Sequence, residues 1–512
     1  MRLLEAKEVL KGVRILGPDD IEISGIHYDS RCIAPGTSGV MFAALPGGNL
    51  DGHSFIRDAV ARGASCVLTE KPSGVDFKGG SVTEVIVPDV REAMAALSTR
   101  LYSDPSSSMT LVGVTGTNGK TTTTYLLESI FKEAGFKAGV IGTINYRYGE
   151  KVFPAPHTTP EAPDLQRILR EMKGAGVTHC AMEVSSHALK QKRVNGCGFD
   201  AAIFTNLTHE HLDYHNTIEE YFEAKALLFG LLKEGAGRAV INADDEWSVK
   251  LPAGDKLSYG LGGGADIHPL GYKLTRDGIE ALVLTPRGTV AVSSRLVGEY
   301  NLRNILGAVA AGCAIGVGLR SMEKGVAALQ RVPGRLEKID ITGVNQELLF
   351  NAYVDYAHTP DALERTLLAL REISEGRIIT VFGCGGDRDR EKRPVMGALA
   401  AELSNVVIVT SDNPRDEDPL EIIKDIESGI EGVKRFDPWD MTMEKLPEGG
   451  RGYVVMPDRG AAIRKAVTIA RPGDTVLVAG KGHEDYQIVE GKTVHFEDSE
   501  ELKNAVTSMS GY

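Results

Sequence analysis

The chain has 512 residues and a formal net charge of -13; 42% of its residues are hydrophobic and 25% are charged. A chain of this length is too long to fold around one hydrophobic core, so we expect about two to four domains. The balanced composition excludes global disorder. The acidic balance disfavours nucleic acid and anionic membranes as partners, because no net positive field attracts them.

The cysteine spacing and the N-terminal residues indicate the cellular location of the protein. None of the six cysteines forms a C-x-x-C pair, which argues against a zinc ribbon or a disulfide scaffold and fits a reducing cytoplasm. The opening residues, MRLLEAKEVLKG, lack the apolar core of a secretory signal. No run of about 18 uncharged apolar residues occurs, so we expect no membrane span and predict a cytoplasmic protein.

Short strands and helices alternate from residue 1 to about residue 105. The run AVARGASCVLTE predicts a helix followed by a strand, and EVIVPD predicts another strand. The run REAMAALSTRLYSDP predicts a helix that ends near Pro105. The polar residues Ser106 to Ser108 that follow indicate a hinge, so we place a first domain at residues 1–106.

From Thr110 the pattern becomes strand, glycine-rich turn, helix and strand. The same alternation continues through the runs THCAMEVS, FDAAIFTNL and GRAVINADD. Strands alternating with helices predict a parallel sheet covered on both faces. Between Gly254 and Val297, short runs with glycine-rich turns predict a small antiparallel annex, and NLRNILGAVAAGCAIG then predicts a helix.

A second α/β block follows the segment VPGRLEKI. Its predicted strands are RIITVFG, NVVIVTSD, GYVVMPD and DTVLVAG. The predicted fold class is therefore α/β with three domains, at residues 1–106, 107–336 and 337–512.

One glycine-rich segment, GVTGTNGKTTTT, lies between a predicted strand and a predicted helix. Glycines let the backbone turn tightly and point N–H groups at phosphate oxygens, and the helix N-terminus adds a favourable dipole. Lys120 would reach the β- and γ-phosphates and Thr121 would bind Mg²⁺. The strict P-loop pattern needs glycine at position 114, where this chain has Val114, so an ordinary glycine-rich turn is the alternative.

The loop TGTNGKTTT resembles the ATP site of the Mur ligases and of the related folylpolyglutamate synthetases. Further segments match the Mur ligase pattern in order, and they span nearly the whole chain: DSR, HTTP, MEVSSHAL, NLTHEHLDYH, GEYNLRN, PGRLE, VDYAHTPDAL, GCGGDRDREKRP, DNPR and GKGHE. The resemblance implies a central P-loop ATPase-like domain between an N-terminal UDP-binding domain and a C-terminal Rossmann-like domain.

The activity that the resemblance implies is that of a monomeric ATP-dependent ligase. It would join meso-2,6-diaminopimelate to UDP-N-acetylmuramoyl-L-alanyl-D-glutamate (UDP-MurNAc-L-Ala-D-Glu) through an acylphosphate, in peptidoglycan precursor synthesis. DNPR is the family's signature for diaminopimelate rather than lysine, which disfavours a lysine-adding ligase. The DSR and HTTP segments disfavour a folylpolyglutamate synthetase, and the phosphate loop alone would also permit a nucleotide-driven switch or motor.

Glu183 follows an apolar run, at the strand end where open α/β sheets place ligand-binding groups. The resemblance implies that Mg²⁺ is held by Thr121, Glu183, His211 and a carbamylated Lys225, and that Lys120, Lys225 and His211 are catalytic. Glu210 departs from the aspartate that is common in the family. ATP binding is implied for Gly116, Thr117, Asn118, Gly119, Lys120, Thr121, Thr122, Asn301, Asn304, Arg335, Asp355 and His358.

Two further groups of residues are implied for the substrates. The UDP-linked substrate is assigned to Tyr28, Ser30, Asn49, Thr158, Thr159, Ser185, Gln191 and Arg193. Diaminopimelate is assigned to Arg388, Asp412, Asn413, Pro414, Arg415, Gly480 and Glu484. Arginine suits the carboxylates of this amino acid and Glu484 its distal ammonium. Plainer alternatives are a structural role for His211, helix capping by Asn301 and a solvated loop for the charged run DRDREKR.

Overall fold

The computed structural model describes residues 1–47, 51–77, 82–210, 212–252, 254–341, 350–440, 451–489 and 491–509. The chain divides into two compact units. One consists of Met1–Leu207, His211–Tyr259 and Gly307–Met322, and the other of Thr208–Glu210, Gly260–Leu306 and Glu323–Tyr512. Both units contain β-sheets accompanied by α-helices, which confirms the predicted α/β fold class.

The first unit begins with a small sheet. Across it the strands are ordered Arg14–Leu16, Thr83–Ile86, Ala64–Thr69, Val40–Ala43 and Gly25–His27. Only the first pair of neighbours is antiparallel; the other pairs in this order are parallel. The accompanying helices are Leu3–Ala6, Ile56–Arg62 and Val90–Leu101. The strand and the helix that were predicted in EVIVPD and REAMAALSTRLYSDP are both present.

The segment after the helix Val90–Leu101, which the sequence predicts to be a polar hinge, forms a turn and a short 3-10 helix. Ser103 and Asp104 have φ angles of 59° and 39°, which a right-handed helix does not contain, so the helix ends earlier than Pro105. Pro105–Ser108 forms a short 3-10 helix, and Ser106 is buried with its hydroxyl accepting a hydrogen bond from the Gly198 N–H at 3.3 Å. This hydrogen bond holds Ser106 next to Gly198, and the role of residues 106–108 as a hinge stays a prediction.

The larger sheet of the first unit carries the phosphate loop. Its strands are ordered Lys256–Tyr259, Arg238–Asn242, Ala201–Phe204, Thr110–Thr115, His179–Glu183, Ala138–Ile141, Asn145–Tyr148 and Lys151–Pro154. The order is parallel as far as Ala138–Ile141 and antiparallel beyond it. Nearly every residue of the inner strands is buried, as a parallel sheet requires. The helices are Lys120–Glu133, Ala162–Gly174, Ser186–Lys190, Leu212–His215 and Ile218–Ala226.

One strand of this sheet comes from the region that was predicted to be a separate annex. Lys256–Tyr259 pairs in parallel with Arg238–Asn242, and its side chains alternate between half-buried and buried. The hydroxyl of Tyr259 donates to the Phe204 carbonyl at 3.1 Å, which fixes the strand at the sheet edge. The predicted annex is therefore shorter than residues 254–297.

That annex lies in the second unit as an antiparallel sheet of His268–Thr275, Gly278–Thr285 and Gly288–Ser294. The main sheet of this unit is ordered Glu337–Lys338, Asn351–Asp355, Thr475–Ala479, Ile378–Phe382, Val406–Val409, Gly452–Val455 and Lys434–Arg435. Its helices are Pro360–Ile373, Lys392–Leu403, Pro419–Glu427, Arg459–Ile469 and Asp498–Met509, and a hairpin joins Tyr486–Val489 to Lys492–His495. Two helices, Glu299–Ala314 and Leu319–Ala328, contribute residues to both units.

The main sheet of the second unit brings several loops to one edge. Phe382 pairs with Val409 on one side and with Ala479 on the other, and Ala479 also pairs with Asp355. These residues end parallel strands, so the loops that follow them emerge together. Among the residues described, no helix is long and apolar enough to cross a membrane.

Candidate nucleotide and substrate sites

The phosphate loop joins the strand Thr110–Thr115 to the helix Lys120–Glu133, as predicted. Gly116 has a φ of +140°, and a Cβ built on it would lie 1.9 Å from the Thr205 hydroxyl, so only glycine fits there. Backbone N–H groups of Thr117 and Asn118 donate to Asn206 at 2.8 and 3.0 Å. The loop is thus held open at the N-terminus of a helix, where an anion is stabilised.

Two lysines meet at this loop. The ammonium of Lys120 donates to the carbonyls of Gly116 and Thr117 at 2.9 and 2.7 Å. Lys225 also donates to the Gly116 carbonyl at 2.9 Å, and its ammonium lies 4.1 Å from the centre of the Tyr221 ring. Lys225 is only 1% exposed, whereas a lysine on a helix is ordinarily a solvated charge. Its burial beside the phosphate loop places its ammonium next to the predicted nucleotide site.

A buried glutamate lies on the other side of the loop. Glu183 ends the strand His179–Glu183 and is 1% exposed. Its carboxylate accepts from the Thr121 hydroxyl at 3.0 Å, and from the Thr143 hydroxyl and N–H, both at 2.9 Å. The predicted substrate residue Thr158 joins the same group through its hydroxyl, 3.1 Å from that of Thr143. The structure therefore brings Thr121 and Glu183 together as hard oxygen groups.

The other central-sheet residues predicted for the UDP-linked substrate form one hydrogen-bonded set. Thr159 donates to the Glu183 carbonyl at 2.9 Å and accepts from the Ser185 N–H at 3.2 Å. Arg193 donates to the Thr159 carbonyl at 2.9 Å and to the Gln191 side chain at 2.7 and 3.0 Å. These contacts fix the orientation of the Thr159, Gln191 and Arg193 side chains.

Acidic residues at the start of the helix Ala162–Gly174 hold two of the predicted residues. Glu161 pairs with Arg193 at 3.0 Å, so the arginine charge is balanced within the protein. Asp164 accepts from the Tyr28 hydroxyl at 2.7 Å, and burial followed by this contact raises the pKa of Tyr28. Tyr28 is thus a neutral donor directed at a carboxylate.

Three predicted residues of the first part of the chain remain: Ser30, Asn49 and His211. Ser30 is 4% exposed and begins the 3-10 helix Ser30–Cys32. Asn49 and His211 lie outside the described residues, so their predicted roles remain predictions.

In the second unit, the two asparagines of GEYNLRN pair with each other. Asn304 donates to the Asn301 side-chain oxygen at 3.1 Å, and Asn301 donates to the Val297 carbonyl at 2.8 Å. Both residues are buried, at 2% and 7% exposure. Asn301 lies inside the helix Glu299–Ala314, and its side chain contacts Val297 and Asn304, so its predicted role at the nucleotide stays a prediction beside the alternative of helix capping.

Arg335 and His358 lie against the Tyr356 ring, next to Asp355 in the sequence. The Arg335 guanidinium lies 4.6 Å from the centre of that ring, and His358 donates through Nδ1 to the Tyr356 carbonyl at 2.8 Å. Asp355 accepts from the Ala357 N–H at 2.9 Å and the Thr366 hydroxyl at 3.2 Å. Burial raises the pKa of Asp355 and lowers that of His358. Burial thus disfavours the charged form of both side chains.

The residues predicted for the amino acid gather where the sheet strands end. Asn413 donates to the Glu484 carboxylate at 3.0 Å, and Arg415 donates to the Gly386 carbonyl at 2.7 Å. A Cβ on Gly480, which has a φ of +118°, would lie 3.5 Å from the Asp412 carboxylate. Burial, and after it the charge of Asp412, raises the pKa of Glu484. These residues, which we call the amino-acid pocket, therefore combine a carboxyl group whose charged form is disfavoured by burial with the guanidinium of Arg415.

Arg388 and Pro414 complete this group of predicted residues. Arg388 donates to the Asp387 carbonyl at 3.0 Å and is exposed, so its guanidinium can meet a ligand. Pro414 is buried, and a Cβ on Gly386 would lie 1.9 Å from the Pro414 carbonyl oxygen. The two loops therefore touch through backbone atoms.

The basic run DRDREKR is divided by the fold. Arg393 is fully buried and binds both oxygens of Glu417 at 2.7 and 2.9 Å, and it also binds Asp425 at 2.9 Å. Arg390 pairs with Asp425 at 3.0 Å. Hydrogen bonds from Arg393 lower the pKa of Glu417 to about 2. Only Arg388 of these arginines is left for a ligand, which is fewer than the sequence suggests.

Some residues at these sites have no counterpart in the sequence prediction. Thr143 contacts Glu183 after the strand Ala138–Ile141, and its position at a strand's carboxyl end is the signal that could have identified it. Lys481 stands inside the quoted segment GKGHE, but lysine is rarely a buried residue, so the local sequence gives no reason to select it.

A phosphate loop at the carboxyl end of a parallel sheet, together with a buried glutamate beside it, defines a nucleotide-binding α/β protein of several domains. Three domain models match the chain: the Mur ligase family catalytic domain at residues 22–109, the Mur ligase middle domain at 114–312 and the Mur ligase glutamate ligase domain at 334–482. The chain belongs to the Mur ligase family, whose members are ATP-dependent ligases.

Individual relatives agree with this assignment. The UDP-N-acetylmuramoyl-L-alanyl-D-glutamate–2,6-diaminopimelate ligase of Geobacter metallireducens is 45% identical, over 100% of this chain and 99% of the relative. A solved structure of a ligase with the same name has a TM-score of 0.69 at 33% identity and covers 100% of both chains. The MurF ligase of Thermotoga maritima, in complex with ADP, has a TM-score of 0.61 at 19% identity, covers 95% of this chain and 97% of its own, and shares the fold.

Proposed function

We propose that this chain joins meso-diaminopimelate to UDP-MurNAc-L-Ala-D-Glu at the expense of ATP, in peptidoglycan precursor synthesis. The observation that carries the proposal is 45% identity over the whole chain with a protein named for this reaction. The D-glutamate side-chain carboxylate attacks the γ-phosphorus of ATP, and ADP leaves. The diaminopimelate amine then attacks the acylphosphate carbonyl carbon and loses a proton as phosphate leaves.

The proposed ATP site is formed by the phosphate loop and its neighbours. Lys120 leaves the loop carbonyls and meets the γ-phosphate, where it balances the charge that develops during transfer. Thr121 and Glu183 offer hydroxyl and carboxylate oxygens, which Mg²⁺ prefers, and the ion would neutralise phosphate charge when bound. Within the described residues no set of three or more His, Cys, Asp or Glu side chains could hold a metal alone. Phosphate oxygens, and by resemblance His211 and a carbamylated Lys225, would complete the site.

The proposed diaminopimelate site is the amino-acid pocket at the sheet edge of the second unit. Arg388 and Arg415 suit the carboxylates of diaminopimelate, since guanidinium groups bind carboxylates in a bidentate manner. Glu484 suits the distal ammonium. The UDP-linked substrate is assigned to Tyr28, Ser30, Asn49, Thr158, Thr159, Ser185, Gln191 and Arg193.

We also infer that the chain works as a monomer in the cytoplasm. The cytoplasmic location is supported by the cysteines, which are all free, five of them buried, a pattern that suits a reducing compartment. Sedimentation of the purified chain tests the monomer: a single species at 55.0 kDa is expected, and a species of twice that mass contradicts it.

The experiment that tests the reaction measures phosphate release with ATP, Mg²⁺ and UDP-MurNAc-L-Ala-D-Glu. Meso-diaminopimelate and L-lysine are compared as acceptors, and a third reaction contains neither. We expect release only with diaminopimelate. A preference for lysine would instead identify a lysine-adding ligase, and equal ATP consumption without any acceptor would identify a nucleotide-driven switch or motor.

A further inference from the structure

A fully buried lysine stands behind the amino-acid pocket. Lys481 is 0% exposed and follows the strand Thr475–Ala479 by two residues. Its ammonium lies 3.2 Å from the Asp412 carboxylate and donates to the Asn413 side-chain oxygen at 3.0 Å and to the Tyr486 carbonyl at 2.8 Å. Two of the three N–H donors of the ammonium are thus used in hydrogen bonds, and the Asp412 carboxylate balances its charge. Lys481 therefore acts on a ligand only through its neighbours.

The first effect of Lys481 is to orient the Asn413 amide. The Asn413 side-chain oxygen accepts from Lys481 and from the Ile488 N–H, both at 3.0 Å. With two donors on one side, the oxygen must face them and the NH₂ group must face the opposite way. That NH₂ group donates to Glu484 at 3.0 Å, so Asn413 presents donors to the pocket.

The second effect concerns the charge of Glu484. The Lys481 ammonium lies 4.0 Å from the Glu484 carboxylate. Burial and the Asp412 charge raise the pKa of Glu484, whereas Lys481, the Asn413 hydrogen bond and Arg415 oppose that rise. Lys481 thus favours the carboxylate form, which an ammonium ligand needs.

We propose that Lys481 is a positioning residue that sets the amino-acid specificity of the pocket. It directs the Asn413 amide donors and places a positive charge 4.0 Å from Glu484, so that an amino acid with both a distal carboxylate and a distal ammonium is preferred to one with the ammonium alone. This inference rests on the proposed function.

The test is Lys481→Met, which keeps the side-chain length and removes the charge. Because one or two charge-assisted hydrogen bonds to the ligand are weakened, we expect KM for meso-diaminopimelate to rise about 10- to 100-fold. KM for ATP and for the UDP-linked substrate should change less than about twofold, and the preference for diaminopimelate over L-lysine should fall by about tenfold. Equal changes in all three KM values would overturn the inference.

The matched control is Arg377→Met. Arg377 is also largely buried and pairs with Asp474 at 2.6 Å, but it lies at the amino end of the strand Ile378–Phe382, away from the pocket. We expect it to lower thermal stability and leave the amino-acid preference unchanged. Should Lys481→Met not fold, Lys481→Gln retains donor N–H groups and should still lower the preference.

The two proposals fail in different ways. A wild-type chain that does not use diaminopimelate refutes the proposed function. A wild-type chain that does use it, with a Lys481→Met variant whose preference equals that of Arg377→Met, refutes only the role of Lys481.

Discussion

A buried ion pair in the second unit offers a stability prediction with a defined magnitude. Arg459 and Asp498 are both 0% exposed in their side chains, and the guanidinium binds both carboxylate oxygens at 2.7 Å. Arg459 also donates to the Ala479 carbonyl at 2.9 Å, one residue before Gly480 of the amino-acid pocket. The pair therefore ties two helices to the strand that carries the pocket loop.

In Arg459→Met, the Asp498 carboxylate stays buried without its two charged donors. Breaking a buried pair in this way costs about 3–5 kcal/mol, because the remaining charge is uncompensated. At about 2–4 °C per kcal/mol for a unit of this size, thermal unfolding at neutral pH should shift down by roughly 6–20 °C. Circular dichroism during a thermal ramp measures the shift.

Two controls accompany this variant. Arg464 and Glu501 join the same two helices but are 55% and 29% exposed, so Arg464→Met should cost less than about 1 kcal/mol. The double change Arg459→Met with Asp498→Leu removes both charges and should recover most of the loss. A single variant that melts within about 2 °C of wild type, or a double variant no better than the single one, would refute this reasoning.

Three further predictions concern the sites. Lys120→Ala should abolish product formation in the phosphate-release assay, and near-normal turnover would exclude the proposed ATP site. Gly116→Ala should raise KM for ATP and cost at least about 2 kcal/mol of unfolding free energy, because the added Cβ collides with Thr205; Gly135→Ala, at an open position with φ +80°, is the control. As pH falls, KM for diaminopimelate should begin to rise at a higher pH than an ordinary glutamate would cause, since burial and the Asp412 charge raise the pKa of Glu484, and Glu484→Gln should remove this pH dependence.

Local patterns in the chain were enough to predict the α/β class and the phosphate loop. Apolar runs of strand length mark the inner strands, because a parallel sheet buries both faces of each strand. The loop, Lys120 and Thr121 are contiguous, so the backbone of one strand–turn–helix unit determines their arrangement. The edge strands Asn145–Tyr148 and Lys151–Pro154 were not predicted, since their polar and aromatic residues form no such run.

Local sequence patterns did not predict which charged side chains are buried or paired. Local sequence gives no reason to expect Lys225 or Lys481 to be buried, yet both are. Each has a partner from a distant segment: Lys225 donates to the Gly116 carbonyl and Lys481 donates to the Asn413 side chain. Arg393 reads as one cation of a basic cluster, yet it is neutralised by Glu417. The free energy of a buried charge depends on the partners that the whole fold supplies, and neighbours in sequence do not reveal those partners.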